Sequence, residues 1–260
     1  MQHDFHYISK KNSEVQKAYR DILNILKDTQ NLLRQDFSFR FDVIGSYKRN
    51  MITYDKKSNI GYDFDFNIKV NDNRLKPKEL KNMLQNAIGK VCVKYGYDTP
   101  EDSTRVLTIK KKNRRNSCII HSCDFAIVNT YTDDENKSHQ EYIHFNKATG
   151  SYTWREQAMG FYMLTEKINW IKKNSLQNDM RKLYLKKKNN NDDPNVHSRS
   201  IFAQTVQEVC QKYGFLKDNG IDTSTSFHHM WCPTPISYSP TKGTNLFRNL
   251  YQSPFDTTLI

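Results

Sequence analysis

Residues 62–68 constrain the fold of this chain most strongly, because polar and apolar residues alternate along them with a period of two. That period is typical of a β-strand, in which successive side chains point to opposite faces of a sheet. Asp63 and Asp65 are then predicted to lie side by side on one face. The other face is predicted to enter the core, and its apolar residues are Tyr62, Phe64, Phe66 and Ile68.

Two carboxylates on the same face of a strand repel each other, so this arrangement destabilises a fold unless a cation lies between them. Hard divalent ions such as Mg²⁺ bind paired carboxylates together with phosphate oxygens. Upstream, Gly45-Ser46 offers backbone N–H groups and a hydroxyl to a phosphate. A third acid, Asp124, lies in a strand-like run and is expected to project into the same site. Three such carboxylates can hold two metal ions about 3.5–4 Å apart, which predicts a nucleotide-handling metal site.

These residues resemble the signature of the nucleotidyltransferase superfamily that includes DNA polymerase β. In that family a strand ends in Gly-Ser, a short helix follows, Asp-x-Asp lies on the next strand, and a third Asp lies on a later one. The order of elements is similar to the bacterial cyclic-oligonucleotide synthases and the oligoadenylate synthases, in which a long N-terminal helix precedes the Gly-Ser strand, as residues 13–36 do here. The resemblance covers residues 10–130. It departs from the family pattern in an apparent insertion, 54–59, and in Asn50-Met51, where the synthases commonly have Gly-Thr.

The resemblance implies an α+β fold with two parts. Residues 1–150 are expected to form a nucleotidyltransferase-type catalytic lobe, with a mixed sheet and flanking helices. Residues 151–260 are expected to form a helical lobe with an irregular C-terminal tail. The family binds its nucleotide between the lobes and uses a lysine of the helical lobe to steady the triphosphate. Lys167 is the residue that we assign to that role, from a set that also includes Lys172 and Lys173.

The resemblance also implies a reaction, the transfer of a nucleoside monophosphate from an NTP to a hydroxyl with release of pyrophosphate. Ser46 and the amides near Gly45 are expected to hold the β- and γ-phosphates. Asp63 and Asp65 are expected to bridge two Mg²⁺ ions, with Mn²⁺ as an alternative. Asp124 is expected to ligate the catalytic metal and to help draw the proton from the attacking hydroxyl.

The acceptor of that reaction is left open. A second nucleotide would give a second messenger, and the end of an RNA would give a modified or extended RNA. A small molecule such as an aminoglycoside, or a protein side chain, are further alternatives. Outside enzymology, the competing hypothesis is a nucleic-acid-binding module whose acids are incidental.

The net charge of +12 and the pI of about 9.3 favour an anionic partner. Basic residues cluster at 110–115 and 181–188, which favours an RNA acceptor slightly, although a solvated hairpin tip and a solvated helix end explain each cluster equally well. No apolar run approaches the ~20 residues of a membrane span. Five cysteines without a Cys-x-x-Cys pair are typical of free thiols in a reducing compartment, so we expect a cytoplasmic protein without a membrane partner.

Periodicity and turn residues place the remaining elements. A capping box that starts at Ser13 predicts a helix over 14–34, and Pro77 and Gly96 bracket a second helix. Helical spacing starts again near Trp154, and a last helix is expected from Ser198 or Ser200 to Gly214. Tyr152 and Trp154 are predicted either to stack on a base or to belong to the core. The predicted strands are 41–44, 62–70, 104–111, 117–129 and 142–146, and the predicted loops are 132–140 and 187–194.

Overall fold

The computed structural model describes residues 3–70, 74–157, 161, 163–193 and 195–215. They fall into two compact units, one within residues 1–159 and the other starting at residue 160. The elements of the first unit are β1 (Phe5–Tyr7), α1 (Ser13–Leu33), β2 (Phe39–Ile44), α2 (Gly45–Lys48), β3 (Thr53–Asp55), β4 (Tyr62–Val70), α3 (Pro77–Cys92), β5 (Glu101–Asp102), β6 (Val106–Asn113), β7 (Cys118–Thr132), β8 (Ser138–Asn146) and β9 (Ser151–Glu156). Those of the second are α4 (Leu164–Lys173), α5 (Gln177–Asn189) and α6 (Ser198–Tyr213).

A mixed sheet of seven strands organises the first unit. Its main path runs β2-β4-β7-β6-β5, and β8 joins the far part of β7 and carries β9 on its other side. Strands β4 and β7 are parallel, whereas β2 with β4 and β6 with β7 are antiparallel. This sheet with flanking helices confirms the predicted α+β class, with a mixed sheet in the N-terminal part and helices in the C-terminal part.

Strand β4 is the centre of the core. The predicted alternation is confirmed, because its apolar residues are all at most 5% exposed while Asp63 and Asp65 occupy the other face. Helices α1 and α3 supply the other side of this core with their buried stripes. Each fully buried large apolar side chain contributes roughly 1.5–3 kcal/mol. The core therefore fixes the strand that carries the two acids.

The helix α1 begins differently from the predicted capping box. Asn12, not Ser13, is the N-cap: its Oδ1 accepts hydrogen bonds from the backbone N–H of Glu14 at 2.9 Å and of Val15 at 3.2 Å. An asparagine oxygen satisfies these first amides as well as a serine hydroxyl does. The second predicted helix begins at Pro77 as expected. It ends at Cys92, and a single 3₁₀ turn leads to the left-handed Gly96.

Three parts of the first unit differ from the sequence-based expectations. The first residues of the apparent insertion, 54 and 55, belong to strand β3, which pairs with β1. The predicted loop 132–140 is shorter, because β7 and β8 extend into it as a hairpin. The helix expected from Trp154 is wrong there, because Trp154 lies on β9, a strand that was missed. The helical period starts only at Leu164.

The second unit contains helices, as predicted. Helix α6 starts at Ser198 and is followed by the left-handed Gly214, both as expected. Helix α5 extends to Asn189 and so includes residues 187–189, which were assigned to a loop. The predicted irregular tail lies outside the described residues. The division of the chain at residue 150 remains a prediction, and residues 151–156 pair with the sheet of the first unit. No described helix combines the length and the apolar character needed to cross a membrane.

Candidate active site

Gly45 forms one wall of the candidate site, where β2 ends and the short helix α2 begins. Its φ of +64° lies in the left-handed region, which glycine adopts without a steric penalty. A Cβ at this position would lie 1.9 Å from Oδ2 of Asp65. The glycine is therefore required twice, for its backbone conformation and for the close approach of a carboxylate.

Strand register brings the three predicted acids to one face. Asp65 on β4 is the direct partner of Asp124 on the parallel strand β7, and Asp63 is the partner of Ser122 two residues earlier. The prediction that Asp124 lies on a strand beside Asp63 and Asp65 is confirmed.

Each acid accepts a hydrogen bond from its own donor. The backbone N–H of Ser46 donates to Asp65. The hydroxyl of Thr108 donates to Oδ1 of Asp124 at 2.6 Å, and the hydroxyl of Ser122 donates to Oδ1 of Asp63. Hydrogen bonds to ionised acceptors are stronger than those between neutral groups. The site therefore supports negative charge with fixed donors.

Burial and mutual repulsion still dominate the electrostatics of this face. Burial, followed by the charge of Asp63, raises the pKa of Asp65 to about 6, although the charge of Arg49 and the Ser46 amide act in the opposite direction. Burial also raises the pKa of Asp124 to about 7, and the charges of Asp65 and Asp63 add to that effect. Thr108 and Lys110 oppose the rise at Asp124. A cation bound here would offset this accumulated repulsion.

The donor set fits a hard divalent ion in its chemistry. Carboxylate oxygens together with phosphate oxygens are the ligands that Mg²⁺ prefers. In the part of the chain that the structure describes, no three His, Cys, Asp or Glu side chains are already gathered as a metal site. Asp63 and Asp124 each turn an oxygen towards a hydroxyl, and Asp65 accepts a hydrogen bond from an amide.

Lys167, the lysine assigned to the triphosphate, lies on α4 in the second compact unit and is 3% exposed. Burial lowers the pKa of its ammonium group. Its two alternatives, Lys172 and Lys173, are exposed at the end of the same helix. A contact between any of them and a nucleotide remains a prediction.

Sequence reasoning missed Thr108 and Ser122, which hold two of the acids. Ser122 could have been found, because it lies two residues before Asp124 and so shares its face. Thr108 could not, because its place opposite Asp124 depends on the register between β6 and β7, which includes an irregularity at Lys111/Lys112.

Two other groups of predicted residues have structural roles. Tyr152 and Trp154 pack against the core, and Tyr152 stacks on Phe145 with ring centroids 4.4 Å apart, as the core alternative predicted. Several lysines of the basic clusters are paired with acids: Lys110 with Glu101, Lys112 with Asp98 and Lys187 with Glu208, at 2.5–2.6 Å. These ion pairs reduce the positive field expected from the clusters.

The fold is similar to that of a solved cyclic dinucleotide synthase related to cGAS. The structure of the Vibrio cholerae cyclic AMP-GMP synthase DncV, a prokaryotic cGAS homologue, matches with a TM-score of 0.52 at 13% identity, over 78% of this chain and 68% of that one. Identity this low shows a shared fold and nothing finer. The resemblance to the bacterial cyclic-oligonucleotide synthases is thereby confirmed at the level of the fold.

Two further structures of this kind are similar at lower TM-scores. The Capnocytophaga granulosa CdnE c-di-GMP synthase has a TM-score of 0.48 and 17% identity, over 79% of this chain and 63% of that one. The Bradyrhizobium diazoefficiens CdnG, bound to GTP, has a TM-score of 0.38 and 14% identity, over 67% and 41%. The chain thus spans less than two thirds of the length of either protein. Neither the protein-family models nor the curated proteins contain a match to this sequence.

Proposed function

We propose that this chain is a Mg²⁺-dependent nucleotidyltransferase that moves a nucleoside monophosphate from an NTP to the hydroxyl of a second nucleotide, with release of pyrophosphate. The observation that carries the proposal is the placement of Asp63, Asp65 and Asp124 on one sheet face beside the Gly45-Ser46 turn. The shared fold with a cyclic AMP-GMP synthase supports it.

Asp63, Asp65 and Asp124 are the residues that would hold the metal ions. When bound, those ions would neutralise the triphosphate and lower the pKa of the attacking hydroxyl. The chain itself contributes position and charge. We expect the hydroxyl of Ser46 and the amides near Gly45 to bind the β- and γ-phosphates, and Asp124 to help draw the proton from the attacking hydroxyl. Positioning and charge neutralisation account for most of the catalysis of phosphoryl transfer.

A nucleotide is the acceptor that we favour. The similar structures are described as synthases of cyclic AMP-GMP and of c-di-GMP, products in which one nucleotide is joined to another. The second candidate is the end of an RNA, which the net charge of +12 favours. The same charge disfavours cationic antibiotics as acceptors. Transfer to a protein side chain, or nucleic-acid binding without catalysis, has no specific support in the structure.

Incubation with each α-³²P-labelled NTP and Mg²⁺ or Mn²⁺, with and without total RNA, tests this proposal. We expect label in a small, phosphatase-resistant product without added RNA, and no such product from the Asp63→Ala/Asp65→Ala variant. Label that moves only onto RNA would support the second candidate. Equal incorporation by the wild-type protein and the double variant would contradict the assigned site.

A further inference from the structure

We infer that Thr108 is a positioning residue for Asp124, which holds one carboxylate oxygen so that the other faces the metal ion and the attacking hydroxyl. This inference rests on the proposed function, because it assigns Thr108 a task within the same site.

The contact between the two residues is direct and rigid. Thr108 on β6 is the antiparallel partner of Asp124 on β7, and its Oγ1 lies 2.6 Å from Oδ1 of the carboxylate. Leu107 and Ile109, on either side of Thr108, are fully buried and anchor β6 in the core. A β-branched side chain on a fixed strand has few rotamers, so the hydroxyl is held where Asp124 needs it.

The position of Thr108 gives the hydrogen bond a direction. Asp65, Asp124 and Thr108 are successive partners across β4, β7 and β6, so Thr108 lies on the side of Asp124 away from Asp65. The hydrogen bond occupies Oδ1 there and fixes the plane of the carboxylate. Oδ2 is then the oxygen that would be left to a metal ion. Without the hydroxyl, the repelling carboxylates are free to rotate away from each other.

Ser122 makes a comparable contact with Asp63, but in more exposed surroundings. Water can replace a donor at an exposed carboxylate more readily than at a buried one. Asp124 is intermediate in exposure and lies beside the fully buried Cys123 and Phe125. Loss of the hydrogen bond from Thr108 is therefore expected to affect metal binding more than loss of the hydrogen bond from Ser122.

The test compares Thr108→Val, which keeps the shape and removes the hydroxyl, with Thr108→Ser, which keeps the hydroxyl. Thr130→Val is the matched control, since Thr130 lies on the same strand as Asp124 but is exposed. Mn²⁺ binding is measured without nucleotide from the electron paramagnetic resonance signal of free Mn²⁺, and kcat and KM are measured with labelled NTP. Thermal unfolding in EDTA verifies that each variant is folded, and Thr108→Ala provides a second variant without the hydroxyl.

We expect Thr108→Val to weaken Mn²⁺ binding about 10- to 100-fold, the usual effect of losing a partner of a metal ligand, and to lower kcat more than it raises KM. Thr108→Ser should restore both, and Thr130→Val should change neither. Wild-type Mn²⁺ binding in folded Thr108→Val or Thr108→Ala would overturn the inference and leave the proposed function standing. Absence of both Mn²⁺ binding and NTP turnover in the wild-type protein would overturn both.

Discussion

Asp65 and Asp124 are half-buried partners on neighbouring strands, and this explains much of the chemistry of single residues in the candidate site. Their folded-state pKa values, about 6 and about 7, lie above the ordinary value of 3.8. Burial is the main cause of both shifts, and neighbouring negative charge is the second. The same two features that favour a bound cation therefore make the metal-free protein sensitive to pH.

The first prediction concerns that sensitivity. Between pH 4 and 7 the folded state retains protons on Asp65 and Asp124 that the unfolded state has lost, so their contribution to the free energy of unfolding falls as the pH rises. Asp65→Asn removes one of these charges. In EDTA, the Tm of Asp65→Asn minus that of the wild type should increase from pH 4 to pH 8. A difference in Tm that stays constant over this range would contradict the raised pKa of Asp65.

The second prediction concerns Gly45. Gly45→Ala places a Cβ 1.9 Å from the Asp65 carboxylate and also strains a backbone with positive φ. Gly150→Ala is the matched control, because Gly150 has a similar φ of +67° and no atom within 4 Å of the added Cβ. We expect Gly150→Ala to lose about 1 kcal/mol of stability and keep its activity.

Gly45→Ala should lose more stability than this control, and its Mn²⁺ binding and NTP turnover should fall at least tenfold, because Asp65 must move. Mn²⁺ titration and labelled-NTP assays of both variants provide the measurement. Similar behaviour of the two variants would show that the close approach to Asp65 is unimportant.

The residues of the candidate site could be predicted only in part. A sequence motif that can be recognised without a structure gives five of them, namely Gly45, Ser46, Asp63, Asp65 and Asp124. The donors to the acids differ, because a donor such as Thr108 is defined by the strand register and not by the sequence around it. The side-chain orientation of each acid is likewise decided by the competing donors.

Among the elements, strand β4 shows how much a strong period reveals. Its bounds, Tyr62–Val70, are those predicted, because every second residue is apolar and the strand is buried on one face. Strand β9 was missed although Tyr152 and Trp154 are also two residues apart. Here a helical period that starts further along the chain, at Leu164, was extended backwards over it. Short strands at the end of a sheet give the weaker signal.

The third prediction concerns the start of α1. Asn12→Ala should reduce the free energy of unfolding by about 1 kcal/mol, because the backbone N–H groups of Glu14 and Val15 lose their acceptor. Ser13→Ala should change it by less than about 0.5 kcal/mol, since the capping oxygen belongs to Asn12. Urea denaturation of both variants is the measurement. A larger loss of stability in Ser13→Ala than in Asn12→Ala would support the predicted capping box at Ser13 instead.

For the whole molecule, net charge and local pairing point in different directions. The charge of +12 suggests a polyanion as partner, whereas Lys110, Lys112 and Lys187 are neutralised by neighbouring acids. Composition predicts the positive net charge. It cannot show the ion pairs, because each of them joins residues that are 9 or more positions apart in the sequence. The exposed Arg114 and Arg115 form the basic tip of the β6–β7 hairpin, and Arg114 makes a long ion pair of 3.9 Å with Asp98.

The fourth prediction uses this tip to separate nucleotide acceptors from RNA. Arg114→Glu/Arg115→Glu should weaken salt-dependent RNA binding, because phosphate contacts are electrostatic and independent of sequence. It should leave product formation from NTP alone unchanged. The reason is that the tip lies beyond Asn113 and Cys118, the last residues that pair between β6 and β7. RNA binding is measured by filter retention at several salt concentrations. A parallel loss of NTP turnover without RNA would contradict the separation of this tip from the candidate active site.

The most direct measurement of the central claim follows the γ-phosphate. Wild-type protein is incubated with γ-³²P-labelled and α-³²P-labelled NTP in Mg²⁺, and the labelled products are separated. A nucleotidyltransferase should release the γ label as pyrophosphate, in equal amount to the α label that enters a new phosphodiester bond, and Asp63→Ala/Asp65→Ala should do neither. Release of the γ label as orthophosphate, or pyrophosphate release that persists in the double variant, would contradict the account.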